Sequence, residues 1–134
     1  MTTTFQTPEL DAAIQSYFDV LHECDLEKFD RLFLPACSLF TVADGTAQVL
    51  SASTYRELLA TRSSPKSLGQ PREESVIASL ALSNDIALVR VRVRIGSKVY
   101  RDHLNFVRSQ GVWKLAAKLY VVEPSPAEQA AAPR

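Results

Sequence analysis

The segment from Glu74 to Val122 constrains the fold more than any other part of the chain. It divides into four long runs, Glu74–Leu82, Ile86–Ile95, Lys98–Arg108 and Val112–Val122, rich in β-branched and apolar residues. Ser83-Asn84-Asp85, Gly96-Ser97 and Ser109-Gln110-Gly111 separate them and read as turns, so the runs form an antiparallel meander. A two-residue turn at Gly96-Ser97 sets Ile95 opposite Lys98. Counting back, Val93 pairs with Tyr100, Val91 with Asp102 and Val89 with Leu104. Side chains alternate along a strand, so one face carries Val89, Val91, Val93, Tyr100, Asp102, Leu104 and Phe106. The other carries Arg90, Arg92, Arg94, Arg101, His103 and Asn105. The apolar face must be the covered one.

Asp102 is the exception on that face, a carboxylate among valines. Burying a carboxylate costs several kcal/mol unless it is paired or neutral. A low-dielectric site favours the neutral acid, which donates a hydrogen bond. A bond to a tyrosine hydroxyl or a loop amide would instead make Asp102 a structural element. The final hairpin leaves two registers open. A two-residue turn at Gln110-Gly111 puts Trp113, Leu115, Ala117 and Leu119 on the Asp102 face, matching apolar to apolar. A three-residue loop with Gly111 left-handed puts Lys118 directly opposite Asp102 and gives the acid an ion-pair partner.

The first half of the chain supplies the cover. Thr7 can cap a helix that has Pro8 at its first position and Glu9 and Asp11 in its first turns. Leu10, Ile14, Tyr17, Phe18 and Leu21 mark its apolar face at helical spacing. Asp25 caps a second, shorter helix with Leu26, Phe29, Leu32 and Phe33 on its inner side, closed by Pro35. Asp44-Gly45 joins two strands, Ser38–Ala43 and Thr46–Leu50. Thr54 and Glu57 have capping-box spacing for a third helix whose buried side is Tyr55, Leu58 and Leu59. Residues 62–71 form a loop broken by Pro65, Gly69 and Pro71, which carries Arg62 and Lys66 and could cover a pocket mouth.

Three helices and then a long meander predict an α+β fold, a cone-shaped barrel of helices packed on a strongly curved, mainly antiparallel sheet enclosing a pocket. At 134 residues and 46% hydrophobic the chain fits one domain with a core that needs no disulfide or metal staple. The domain should span residues 7–123, with residues 1–6 and 124–134 as loose ends. Lys plus Arg and Asp plus Glu both number 15, and this balance argues against a nucleic-acid partner. No apolar run approaches the ~18–20 residues of a membrane span. Residues 1–6 lack the features of a signal peptide, so a cytoplasmic location is expected. Cys24 and Cys37, without CxxC spacing and with only His22 and His103 for company, read as reduced thiols and not as a metal site. No cofactor is expected.

These residues resemble a known family. YFDVLHECDLEKFDRLF (Tyr17–Phe33) followed by Pro35 looks like the opening of nuclear-transport-factor-2-like domains. YRDHLNFVRSQGVWKLAAKLYVVEP (Tyr100–Pro124) looks like their last hairpin, with Asp102, Leu104, Gly111, Trp113, Lys114, Leu115 and Lys118 as the recurring marks. The nearest branch is the one named for lumazine binding, beside the SnoaL-like polyketide cyclases. The resemblance covers about residues 9–124 and implies a cone-shaped α+β barrel and a homodimer joined through the open sheet face. Ketosteroid isomerase shares this fold and builds its oxyanion hole from a tyrosine and a protonated aspartate. The resemblance places Tyr17 and Asp102 at those positions. It departs at the general base, an aspartate expected near Phe40–Val42, where this chain has Phe-Thr-Val. Thr41 cannot replace a carboxylate at neutral pH.

Three functions follow as expectations. The first is a binding domain for a small apolar or aromatic molecule, with Phe40, Tyr55, Val91, Leu104, Trp113 and Lys118 as candidate pocket residues. The second is an isomerase, cyclase or dehydratase that polarises a carbonyl through Tyr17 and Asp102 as candidate catalytic residues. The third is a dimeric interaction module that works through its outer face. Each residue also has a plainer reading: Tyr17 and Trp113 as core, His22 as a helix-end cation, His103 and the arginines as a solvated or interfacial face.

Overall fold

The computed structural model describes residues 5–124. Helix α1 spans Pro8–Glu23 and α2 spans Leu26–Leu32. Strands β1 (Phe33–Ala43) and β2 (Thr46–Ser51) form a hairpin, and helix α3 covers Ala52–Thr61. Strands β3 (Glu74–Ser83), β4 (Ile86–Ile95), β5 (Lys98–Ser109) and β6 (Val112–Val122) complete the chain. The loose ends expected at 1–4 and 125–134 lie outside the described residues. Phe5, also assigned to a loose end, is tied to β3: its amide donates to the Ser79 carbonyl at 2.9 Å and its carbonyl accepts from Ser79 Oγ at 2.5 Å.

The helix starts follow local chemistry. Thr7 accepts from the Leu10 amide at the head of α1, and Asp25 accepts from Lys28 at the head of α2. At α3 the cap is Ser51, which accepts from the Thr54 amide, and not Thr54 itself. The expected capping box therefore starts three residues late, because a hydroxyl nearer the end of β2 takes the same role. Cys24 ends α1 in the left-handed region at φ 52°, which frees Asp25 to start α2 at a new angle.

The sheet has six strands in the order β2-β1-β6-β5-β4-β3. All neighbours are antiparallel except β1 and β6, which run parallel. The sheet does not close, and β2 and β3 are its edges. Helices α1, α2 and α3 pack on one face: α1 against β4 and β6, α3 against β1 and β2. Strand β1 starts at Phe33, five residues earlier than the hairpin signal indicated, and its register slips between Phe33 and Ser38. Pro35 falls in that slip, where its missing amide hydrogen breaks no ladder bond.

The β4–β5 register derived from the Gly96-Ser97 turn holds along the whole pair, from Ile95–Lys98 to Ile86–Val107. Val89, Val91, Leu104 and Phe106 are fully buried beneath α1. Each such side chain contributes about 1.5–3 kcal/mol on leaving water. The last hairpin departs from both sequence readings. Its turn is the two-residue one, with Gln110 and Gly111 both at positive φ (52° and 79°) and Ser109 opposite Val112. Trp113 and Leu115 accordingly face inward. The register then slips: Phe106 pairs with Leu115, but Asn105 pairs with Ala117. Ala116 is the extra residue of a β-bulge, which reverses the alternation beyond it. Ala117 and Leu119 therefore leave the Asp102 face, and Lys118 enters it. Lys118 sits across from Leu104, diagonal to Asp102, and Tyr120 is the residue directly opposite Asp102. No helix among the described residues is long and apolar enough to cross a membrane.

Candidate functional site

The bulge delivers Lys118 into the layer between sheet and helices. Its stem lies beside Leu39, its register partner on β1, and the side chain is 7% exposed. The ammonium stands 3.8 Å from Asp102 Oδ2. It also lies over three tyrosine rings, 5.2 Å from Tyr17 and 5.3 Å from both Tyr55 and Tyr120. Such ring faces attract a desolvated cation by about 2 kcal/mol. Burial pushes Lys118 towards the neutral amine, but Tyr55, Asp102 and Tyr120 outweigh it and hold the group above its ordinary value. Arg62 opposes them.

Asp102 is buried and accepts a 2.5 Å hydrogen bond from the Tyr17 hydroxyl through Oδ2. The acid thus accepts from a tyrosine and lies beside a cation. Its Oδ1 has no hydrogen-bond partner among the described residues. Burial first, and then the Asp102 charge, raise Tyr17 well above the usual phenol range, so its proton stays in place to make the bond. Cys37 lies in the same layer; burial lifts its thiol to about 11 against a smaller opposing pull from Lys118, which leaves it protonated and unreactive.

A cavity of about 180 Å³ opens over Asp102 and Lys118. Leu39, Val93 and Ile95 give it apolar walls; Tyr55, Tyr100 and Tyr120 give it hydroxyls. Leu58 and Arg62, both exposed, stand at its mouth at the end of α3. Leu58 was expected in the core and is instead 48% exposed at this rim. A larger depression of about 460 Å³ lies on the opposite sheet face, between Phe40, Val42, Arg90, His103 and Leu119. The smaller cavity is the candidate site because it alone is bordered by the buried charged pair.

The structure brings Tyr55, Asp102 and Lys118 together at this cavity. Tyr17 touches Asp102 from behind and does not line it. Val91 and Leu104 are core residues next to Asp102 and Lys118 in register, beneath the cavity wall. Phe40 does not reach it: Leu39 is the inward residue of β1, and alternation sends Phe40 to the outer face. Trp113 is also elsewhere, packed edge-on against Phe5 at 6.3 Å with Arg108 over its ring at 5.7 Å. Sequence reasoning missed Arg62 and Tyr120 as lining residues. Tyr120 follows from Lys118 by alternation once the bulge is known, and Arg62 belonged to the loop expected to cover the mouth. Among the described residues no group of three or more His, Cys, Asp or Glu side chains could hold a metal ion.

The family described as "Putative lumazine-binding" matches residues 6–121. The chain belongs to this family. No curated protein matches the chain. Solved structures similar to it include an NTF2-like protein of unknown function from Shewanella baltica (17% identity, 92% of this chain and 100% of that one, TM-score 0.75). Another is an NTF-2 like protein of unknown function from Silicibacter pomeroyi (16% identity, 86% and 93%, TM-score 0.71). A third is a ketosteroid isomerase-like protein from Erwinia carotovora atroseptica (14% identity, 87% and 95%, TM-score 0.65). At these identities the likeness is one of fold. It gives this member of the family a nuclear-transport-factor-2-like fold.

Proposed function

We propose that the chain is a small-molecule-binding domain whose ligand enters the cavity over Asp102 and Lys118. The observation that carries this reading is the pairing of a walled apolar cavity with a charged pair buried at its edge. Buried charge is costly, and a ligand contact is a reason to keep it where an apolar pair would serve stability. The family description supports the same reading and makes lumazine one compound to include in a test. The volume suits a molecule of about one ring, since a cavity of about 150 Å³ takes up benzene. Carbonyl chemistry of the isomerase kind has less support. The Tyr17 hydroxyl is spent on Asp102, and β1 presents Thr41, whose hydroxyl donates to the Tyr120 carbonyl at 2.6 Å, in place of a basic carboxylate.

The test is a thermal-shift screen of the whole chain against one- and two-ring compounds, repeated on Val93→Phe, which fills the cavity. A ligand at a hundred times its dissociation constant should stabilise the native chain by about 2.7 kcal/mol and leave the filled variant unmoved. If nothing moves the native chain, the binding reading fails.

A second reading concerns the other face. Phe40, Val42, Leu119 and Val121 are exposed side by side on the outer sheet. We propose that a second copy of the chain covers them, giving a homodimer. Sedimentation should return twice the chain mass, and Leu119→Arg should return a monomer with the same melting temperature. A monomer at high concentration would overturn this proposal.

A further inference from the structure

The charged residues lining the cavity are Arg62, Asp102 and Lys118, two cations to one anion. The single anion is engaged through one oxygen: its Oδ2 takes the Tyr17 hydrogen bond and faces the Lys118 ammonium, while its Oδ1 has no partner among the described residues. Even so, the Lys118 Nζ to Asp102 distance of 3.8 Å is beyond hydrogen-bond reach, and the ammonium's other close neighbours are ring faces. Among the described residues Arg62 has no carboxylate within ion-pair distance. Arg62 lies beside Tyr55, and its charge acts on Lys118 against the tyrosines and Asp102 that hold the proton there. Two cations thus repel across the cavity, and among the described residues neither is hydrogen-bonded to a carboxylate. The chemistry that completes such a site is an anion with several acceptor oxygens.

Size and walls restrict the anion further. The cavity holds about 180 Å³, and Leu39, Val93 and Ile95 present only hydrocarbon. A strongly hydrated ion such as phosphate gains nothing from those walls, whereas a carboxylate on an apolar body uses both halves. We propose that the cavity takes a small monocarboxylate, its carboxylate held between Lys118 and Arg62 and its one-ring or branched aliphatic body against Leu39, Val93 and Ile95. This rests on the binding reading above and names the class of ligand for it. Asp102 then acts as a positioning residue: it keeps Lys118 charged and in place, and it repels a second acidic group on the ligand.

Calorimetry and thermal shift on the full chain with benzoate, cyclohexanecarboxylate, benzamide and toluene test the proposal. The two carboxylates should bind at neutral pH, with benzamide and toluene at least tenfold weaker. Arg62→Gln changes an exposed residue and should fold normally; it should weaken benzoate about tenfold and leave toluene unchanged. Lys118→Met should abolish benzoate binding. Benzamide or toluene binding as tightly as benzoate would overturn the carboxylate assignment and leave the binding reading standing. Benzoate binding that Arg62→Gln does not alter would overturn the placement of its charge at the mouth. Silence from all four probes would overturn the carboxylate proposal, and the wider screen then decides the binding reading separately.

Discussion

A lysine ammonium 3.8 Å from a carboxylate, with both side chains at least nine-tenths buried, is the most consequential contact in this chain. Removing one partner leaves the other charged and uncompensated. Lys118→Met should therefore cost about 3–5 kcal/mol in urea unfolding at neutral pH. Adding Asp102→Asn to it should recover much of that loss, because no buried charge then remains. Tyr17→Phe removes the donor to Asp102 Oδ2 and should cost about 1–3 kcal/mol. The same cluster fixes the alkaline limit of stability. Tyr17 and Lys118 are both raised above their ordinary values of 10.0 and 10.5. A raised group contributes stability that is whole below its unfolded value and is lost as pH rises through its folded value. Melting temperature should thus fall steeply above about pH 10, and the fall should be shallower in Tyr17→Phe. An alkaline profile identical in the two chains would contradict the assignment. Asp102 was legible in the sequence because the Gly96-Ser97 turn fixes its face with no tertiary information. The face of Lys118 is not legible in the same way, because it depends on an insertion that no local residue signals.

At the scale of elements, the β5–β6 hairpin shows how two signals combine. The turn obeys its own chemistry: Gln110 and Gly111 both adopt positive φ, the geometry that suits the twist of a two-residue hairpin. An added Cβ at Gly111 meets nothing within 4 Å, so the cost of Gly111→Ala is purely conformational, about 1–2 kcal/mol. Gln110 is a costlier residue at its φ of 52° than asparagine would be. Gln110→Asn should raise stability by up to about 1 kcal/mol, read from the denaturation midpoint. Further along, the bulge at Ala116 overrides the phase that the turn sets. Deleting Ala116 should remove the bulge and leave the register beyond it intact, with Ala117 still opposite Asn105 and Lys118 still inward; a chain that kept both its fold and its response to cavity ligands would show it. The helices were read well, since capping and apolar spacing are local. The errors, Ser51 for Thr54 at the α3 cap and Phe33 for Ser38 at the β1 start, lie where a strand runs directly against a helix and no loop marks the border.

Over the whole molecule, the α+β architecture follows from the order of its elements, helices and a hairpin first and a meander second. A sheet of six strands with one covered face has to bend over its helices, and its bulges add to the bend. What the sequence determined by itself is therefore the element list, the β4–β5 register and the misplaced acid, because each depends on residues near one another in the chain. Tertiary structure alone decided what the acid meets. Tyr17 and Asp102 are 85 positions apart, and β1 lies parallel to β6 across most of the chain. Only packing brings Tyr17, Tyr55 and Leu39 around Lys118, sends Phe40 to the far face and leaves Arg62 at the mouth. Contacts of that separation carry no local periodicity, and one extra residue in a strand exchanges an outward lysine for a buried one.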